Sequence, residues 1–309
     1  MMERSELKIA DAPERNWVDR YAPAPWRPYL RLSRADRPIG AWLLLLPGWW
    51  SLTLAAAHES HSAPNIFLVL LFFVGALAMR GAGCTYNDII DRDIDAKVAR
   101  TANRPLPSGA LRLEQALIWL GLQAFAGLVV LLLLNAYSVK LGLASIVLIA
   151  VYPFMKRLTH WPQAWLGLTF NWAALLGYSA AIGELDAPAY WLYAGAVFWT
   201  IGYDTIYAHQ DKEDDALIGV KSSALKLAGR TRFWLRFFYA AAFLAFLGAI
   251  VAAGERFLAY VGLLIVGVHF LWQIRTLDID RPEICLQIFR SNRDVGLVFL
   301  AGLLGGLWL

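Results

Sequence analysis

Residues 65–95 read NIFLVLLFFVGALAMRGAGCTY over 65–86 and then NDIIDRDID over 87–95, so an apolar run passes directly into an acidic one. A helix over the apolar run would be about 33 Å long, which matches the roughly 30 Å hydrocarbon core of a bilayer. The helical period places Asn87, Asp91 and Asp95 on one face. The stretch therefore predicts a membrane-spanning helix that ends in a row of carboxylates.

The rest of the chain repeats this apolar pattern. Of its 309 residues, 59% are apolar and the mean hydropathy is +0.49, values that exclude an ordinary soluble domain. We predict an all-α polytopic membrane protein, a bundle of about nine transmembrane helices. Their predicted spans are 38–57, 65–86, 114–134, 137–155, 162–182, 188–208, 233–252, 256–274 and 294–309.

The distribution of Lys and Arg orients these spans. Basic residues precede the first span and follow the second, fourth, sixth and eighth, whereas the opposite loops hold only Lys140 and Arg256. By the positive-inside rule, the N-terminus and the long loops are cytosolic. The net charge of +4 follows from this bias and predicts contact with the lipid bilayer, with no nucleic acid as partner.

The N-terminal segment predicts a separate region. Residues 1–28 contain acids and four prolines but no apolar signal core, so we interpret them as a mobile cytosolic arm before a transmembrane domain at 29–309. The acids also disfavour a transit peptide, which predicts a bacterial inner membrane and leaves a mitochondrial inner membrane open. Cys84 and Cys285 both fall near the reducing side, so no disulfide is expected.

The acidic pattern occurs a second time, at 204–215, which reads DTIYAHQDKEDD. Asp211 and Asp215 follow Asn87 and Asp91 by 124 residues each, and both patterns lie where a predicted span meets a basic loop. A continuous helix would place Asp204, Tyr207, Asp211 and Asp215 on one face. The repetition suggests that the two patterns act together on one side of the membrane.

Carboxylates in this arrangement point to a divalent cation. Two of them about 5 Å apart repel by roughly 3 kcal/mol at an effective dielectric constant near 20, so a group of four needs cations. Mg²⁺ prefers oxygen ligands and binds through one or two carboxylates together with substrate phosphates. The pattern predicts an Mg²⁺ site that holds a lipid diphosphate; solvated surface acids are the alternative for either motif alone.

Seven further polar residues are candidate contacts to a diphosphate or to an acidic substrate. Each has a structural alternative: a helix-stabilising ion pair, a lipid-headgroup contact, an interfacial anchor or a bond to a neighbouring helix. They are Arg80, Arg100, Arg104, Tyr152, Lys156, Asn171 and Lys221.

The chain resembles the UbiA family of intramembrane prenyltransferases. The resemblance covers most of residues 28–225 and is carried by the stretches RADRPIG at 34–40, RGAGCT at 80–85 before the first motif, YPFMKR at 152–157, and YDTIYA at 203–208 through Lys221 and Ser222. It implies Mg²⁺-dependent transfer of a polyprenyl group from polyprenyl diphosphate to an aromatic acid. In the subgroup that it resembles most, the acceptor is 4-hydroxybenzoate, alkylated ortho to its hydroxyl in ubiquinone biosynthesis.

Carried over to this chain, the resemblance gives each candidate a role. Arg80 becomes catalytic together with Asp91, Asp95, Asp211 and Asp215. The metal ligands become Asn87, Asp88, Asp91, Asp95, Asp211 and Asp215, with Asp88 in a supporting place. The substrate contacts become Arg80, Arg100, Arg104, Tyr152, Lys156, Asn171, Asp204, Tyr207 and Lys221. Ala173 and Ser223 stand where the subgroup would have Gly and Thr, which bears on how the acceptor fits.

Two alternatives remain at this point. Other members of the family use homogentisate, a naphthoate, haem or chlorophyllide as acceptor. From a different class, a cation-coupled transporter also carries intramembrane carboxylates, although it should place them near the bilayer midplane and not at the cytosolic edge.

Overall fold

The structure, a computed structural model, describes residues 16–98 and 101–309, without the side chains of Asp214, Asp215 and Ile218. It is all-helical, and no strand occurs in the described part. The helices are α1 Trp17–Tyr21, α2 Arg27–Leu32, α3 Ile39–His58, α4 Ile66–Asp95, α5 Leu113–Leu132, α6 Ala136–Leu158, α7 Pro162–Phe170, α8 Trp172–Ile182, α9 Ala187–Ala208, α10 Lys212–Ile218, α11 Ser223–Leu227, α12 Thr231–Ala253, α13 Phe257–Thr276 and α14 Pro282–Gly306. Turns of 3₁₀ helix occupy Ala24–Trp26, His209–Asp211 and Ala228–Arg230.

Among the described residues, six helical segments are long and apolar enough to cross a membrane: α3, α4, α5, α6, α13 and the segment Ser223–Ala253, which includes α11 and α12. The chain is therefore a multi-pass membrane protein. Helices cover all nine predicted spans, but the count of nine crossings and the cytosolic N-terminus stay predictions.

Two details of the predicted helices are wrong. The predicted span 162–182 is broken at Asn171 into α7 and α8. The last helix begins at Pro282 and not at 294, because the polar residues at 290–294 are themselves helical. Of the predicted arm 1–28, residues 1–15 lie outside the described residues; in the described remainder Val18 is fully buried and the indole of Trp17 donates a hydrogen bond to the carbonyl of Ala35. The cytosolic arm stays a prediction.

The chain divides into two compact units, each with its own packing. The first comprises residues 1–41 and 74–130. Its core joins α2, the loop before α5 and the start of α5, where Leu32, Leu106, Leu111 and Ala116 are buried together. This small core fixes the loop that follows α4, because the loop contributes two of its four buried residues.

The second unit comprises residues 42–73 and 131–309. Trp50 on α3 lies at its centre, with its ring 5.2 Å from that of Trp199 and 5.1 Å from that of Phe299. Gly262 on α13 and Gly302 on α14 face each other so closely that a Cβ on Gly262 would lie 2.7 Å from the Cα of Gly302. Small residues at such contacts are how membrane helices bring their backbones together.

Candidate functional site

The first acidic motif lies at the C-terminal end of α4, which runs without a break to Asp95. Asp88 and Asp91 are fully buried and Asp95 is 5% exposed. Asp93, in contrast, has a side chain that is 85% exposed. The C-terminal end of a helix carries partial negative charge, so buried carboxylates there need cations nearby.

Two arginines supply part of the positive charge that these carboxylates need. Nη2 of Arg34 lies 2.6 Å from Oδ1 of Asp88, and Nη1 of Arg104 lies 3.3 Å from the same oxygen. Nη1 of Arg104 is also 2.7 Å from Oδ2 of Asp95. The four side chains form one buried ion chain, Arg34–Asp88–Arg104–Asp95. Asp88 contacts both guanidiniums through Oδ1 alone, a geometry that suits its supporting place in the motif.

The loop after α4 folds back onto the motif. The hydroxyl of Thr101 donates to the carbonyl oxygen of Asp95 at 2.8 Å, and the N–H of Arg104 donates to the carbonyl of Thr101. Leu106 and Leu111 then anchor the loop in the core of the first unit. These contacts explain why Arg104 reaches the motif; Arg100, also predicted there, lies outside the described residues.

Arg80 lies two turns before the motif on the same helix. Its guanidinium packs against the backbone of Gly40, so closely that a Cβ on Gly40 would lie 2.5 Å from its Nε, Cζ and Nη2 atoms. Only glycine leaves room for this contact. Gly40 belongs to the RADRPIG stretch, but its part in placing Arg80 was not evident from the sequence.

The second motif does not continue one helix. Helix α9 ends at Ala208, and a 3₁₀ turn at His209–Asp211 precedes α10. Asp204 and Tyr207 are half-buried near the end of α9, Asp211 lies at the end of the turn, and the side chain of Asp215 is not described. The expectation that Asp204, Tyr207, Asp211 and Asp215 share one regular helical face is therefore wrong.

Three contacts with distant residues hold this turn. Nε2 of His209 lies 3.0 Å from the hydroxyl of Thr231, and burial lowers the pKa of His209 to about 4, which leaves it neutral at pH 7. Nζ of Lys212 binds Asp280 at 2.5 Å and the carbonyl of Ile279 at 3.1 Å. These residues were not predicted as part of the site, since nothing in their local sequence marks them.

Tyr207 has a further neighbour that sequence analysis did not find. Its ring centroid is 4.4 Å from that of Phe289 on α14, and the ring of Tyr203 is 5.8 Å from Phe289. Helix α14 thus contributes an aromatic side chain beside the second motif.

Two predicted substrate contacts meet through the backbone. The N–H of Lys221 donates to the carbonyl of Lys156 at 2.9 Å, and Nζ of Lys221 donates to the carbonyl of Leu158 at 3.1 Å. Lys156 and Tyr152, one turn earlier on α6, are both half-buried. The end of α6 and the segment after α10 therefore lie side by side, with the backbones of Lys156 and Lys221 in direct contact.

Asn171 is fully buried at the break between α7 and α8. Its amide Nδ2 donates to Gly167, Ala196 and the hydroxyl of Thr200 at 2.8–3.0 Å. Ala196 and Thr200 lie on α9, so Asn171 makes the bond to a neighbouring helix that we gave as the structural alternative to a substrate contact. Its Oδ1 is buried and has no hydrogen-bond partner among the described residues.

The donor set of the first motif fits Mg²⁺. Asp91 and Asp95 offer hard oxygen ligands in a buried place, and Oδ2 of Asp88 is buried without a hydrogen-bond partner in the described part of the chain. Among the described residues, no three acid, His or Cys side chains are arranged as a metal site. One or two carboxylates nevertheless suffice where substrate phosphates complete the Mg²⁺ shell.

Comparison with known proteins identifies a family and several similar proteins. The UbiA prenyltransferase family matches residues 44–303. The 4-hydroxybenzoate polyprenyltransferase, mitochondrial, of Homo sapiens is 52% identical over 93% of this chain and 77% of its own length. The protein of the same name from Arabidopsis thaliana is 47% identical over 95% of this chain and 72% of its own length. These mitochondrial names do not support the prediction of a bacterial inner membrane.

A solved structure of a UbiA homologue from Aeropyrum pernix K1 has the same fold. It superposes with a TM-score of 0.73 at 24% identity and covers 84% of this chain and 96% of its own. A UbiA homologue from Archaeoglobus fulgidus bound to DMAPP and Mg²⁺ gives a TM-score of 0.64 at 18% identity, over 90% of this chain and 98% of its own.

Proposed function

Because the chain belongs to the UbiA prenyltransferase family, we propose that it transfers a polyprenyl group from polyprenyl diphosphate to the ring of 4-hydroxybenzoate. The observation that carries this proposal is the identity of about half of all residues, across more than nine-tenths of the chain, with relatives of that name. The new bond forms ortho to the hydroxyl group, which would make the reaction a step of ubiquinone biosynthesis.

The proposed reaction requires an allylic C–O bond to break and a C–C bond to form. The electron pair of the C–O bond leaves with diphosphate, the allylic carbon bonds to the aromatic ring, and the ring then loses a proton. When bound, Mg²⁺ would stabilise the negative charge that develops on the leaving diphosphate.

Different residues of the chain are proposed for each part of this reaction. We propose that Asn87, Asp91 and Asp95 of the first motif and Asp211 and Asp215 of the second hold Mg²⁺ and diphosphate. Arginine suits bidentate contact with phosphate, which favours Arg104 and Arg80 for that role. Lys156 and Lys221, whose backbones are joined by a hydrogen bond, are the proposed contacts of an anionic group. Burial of the first motif would keep water from the allylic cation.

The membrane location is part of the same proposal. Both predicted substrates meet only if the polyprenyl tail stays in the bilayer while the diphosphate and the aromatic acid reach the polar edge. The carboxylates at the end of α4 lie at such an edge by the hydropathy of that helix. We propose an inner membrane, bacterial or mitochondrial, as the place where the enzyme works.

A direct assay tests this function. Purified protein in detergent is incubated with 4-hydroxybenzoate, a polyprenyl diphosphate and Mg²⁺, and the prenylated acid is sought by mass spectrometry, with EDTA as the control. We expect product that depends on Mg²⁺. Release of diphosphate without prenylated acid would point to another acceptor, and the absence of both from folded protein would refute the proposal.

Variants of the first motif sharpen the test. Asp91→Ala should abolish turnover while the protein stays folded and inserted, and so should Asp211→Ala in the second motif. Asp93→Ala is the matched control, because Asp93 lies in the same motif but is exposed. Near-normal activity of Asp91→Ala or Asp211→Ala would remove that residue from the proposed site.

A further inference from the structure

The turn after α2 carries an arginine where most proteins have glycine. Arg34 has a φ of 59°, and the N–H of Ala35 donates to the carbonyl of Leu30 at 2.9 Å. This is the pattern that ends a helix with one left-handed residue, a place that glycine fills at no steric cost. A residue with a Cβ is strained there. The side chain of Arg34 must therefore contribute something that glycine cannot.

The side chain of Arg34 is buried and fully engaged. Its residue is 8% exposed, and Nη1 donates to the carbonyl of Arg31 while Nη2 contacts Asp88 at 2.6 Å. Asp88 is 54 residues away in sequence and is fully buried. The strained turn thus ties α2 to the acidic end of α4.

The contact extends through Asp88 to Arg104. Asp88 Oδ1 accepts from both Arg34 and Arg104, and the shorter contact of Arg104 is with Asp95, at 2.7 Å against 3.3 Å. Without Arg34, Arg104 would be the one arginine left beside Asp88. The charge of Asp88 would then draw the guanidinium of Arg104 away from Asp95. In the intact chain Arg34 offsets the charge of Asp88 through Oδ1, so Arg104 stays with Asp95.

We propose that Arg34 is a positioning residue for the transfer reaction. It acts through Asp88 and fixes the guanidinium of Arg104 beside the first motif before any substrate binds. The inference rests on the proposed function only in taking diphosphate as the anion that Arg104 meets. It accounts for the strained backbone and the buried ion chain together.

Glycine at position 34 offers a clean test. Arg34→Gly relieves the strain of the turn but removes the whole side chain and leaves the buried Asp88 with Arg104 alone, so thermal unfolding is measured beside each readout to separate a loss of stability from a loss of positioning. Arg34→Lys restores a charge without the forked geometry. Arg31→Gln is the matched control, because Arg31 lies on α2, one turn before Arg34, and pairs with Asp19.

Two readouts do not need turnover. Hydrogen exchange reports on the loop after α4, where the amides of Arg104, Ser108 and Leu111 bond to backbone carbonyls. Calorimetry with inorganic diphosphate and Mg²⁺ reports on anion binding. Steady-state kinetics with the polyprenyl donor form the third readout and separate KM from kcat.

We expect Arg34→Gly to speed exchange at 101–111, to weaken diphosphate binding and to lower kcat/KM for the donor by about tenfold to a hundredfold, the usual effect of a small misplacement. Arg34→Lys should recover part of each loss, and Arg31→Gln should match the unmodified protein. Unchanged exchange and unchanged diphosphate affinity in Arg34→Gly would overturn the inference. An unmodified protein that binds diphosphate but forms no product would count against the proposed function and leave this inference standing on the first two readouts.

Discussion

Gly40 sets the position of a catalytic candidate although it carries no side chain. A methyl group there would collide with the guanidinium of Arg80, which is the free end of a flexible side chain and can move aside. Gly40→Ala should therefore displace Arg80 without unfolding the protein, since alanine is the better helix former. We expect a loss of about tenfold in kcat/KM for the donor, by analogy with other small misplacements, with an unchanged or higher melting temperature.

The control for this substitution is Gly121→Ala on α5. A Cβ on Gly121 meets no atom within 4 Å, so the variant should keep full turnover and gain a little stability. Both proteins are compared by product formation and by thermal unfolding in the same detergent. Full activity in Gly40→Ala would show that the place of Arg80 does not matter for the reaction.

Glu255 is a buried carboxyl group far from both motifs in sequence. It follows α12, is 6% exposed, and has no hydrogen-bond partner for either oxygen among the described residues. A Cβ on Gly306 would lie 2.2 Å from its Oε2, so the group packs against the end of α14. Burial raises the pKa of Glu255 from 4.5 to about 8.

This pKa makes stability depend on pH. Between about pH 4.5 and pH 8 the unfolded chain releases the proton of Glu255 while the folded protein keeps it, so the free energy of unfolding falls as pH rises. Glu255→Gln cannot ionise, and its melting temperature should exceed that of the unmodified protein by a margin that widens from pH 5 to pH 8. Thermal unfolding at pH 5, 6.5 and 8 measures that margin. A margin that stays constant with pH would contradict a buried, protonated Glu255.

At the scale of elements, the break between α7 and α8 is held by one amide. Asn171 donates to two carbonyls and to the Thr200 hydroxyl, which joins the break to α9. Asn171→Ala should lower the free energy of unfolding by about 1–3 kcal/mol, because buried groups lose their partners. Thr200→Val should cost less, since it removes only one of the three Asn171 bonds, together with the 3.2 Å bond that the Thr200 hydroxyl donates to the hydroxyl of Tyr203. Equal stability of all three proteins in denaturant titrations would show that the break holds without the amide.

The helices were predictable where composition decides, and the site was predictable only in part. The run at 66–86 is long and apolar, so its helix follows from the need to satisfy backbone polar groups in lipid. No Gly or Pro near Ala208 indicates that the helix ends there. The break is held by contacts with Thr231 and Asp280, which are distant in sequence. In the same way, the motif carboxylates could be found from their spacing, but the role of Arg34 could not.

At the scale of the whole molecule, the open structural issue is how often the chain crosses the membrane. Helices α7 and α8 have nine and eleven residues, and each alone is about half as long as a bilayer core is thick. Together with the turn at Asn171 they cover the predicted span 162–182. Nine crossings place residue 184 outside, whereas crossings by only the six candidate helices place it in the cytosol.

Cysteine labelling distinguishes these topologies. Cys84 and Cys285 are buried and free, so single exposed cysteines can be introduced as Ser62→Cys, Ser108→Cys and Glu184→Cys, with the unmodified protein as the blank. A membrane-impermeant maleimide applied from outside should label position 62 and spare position 108 until the membrane is permeabilised, because α4 is long and apolar enough to cross between them. We expect position 184 to react from outside like position 62, since the basic residues after α6 and after α9 call for two further crossings between them. Labelling of position 184 only after permeabilisation would reduce the count and place α7, α8 and α9 on the cytosolic side.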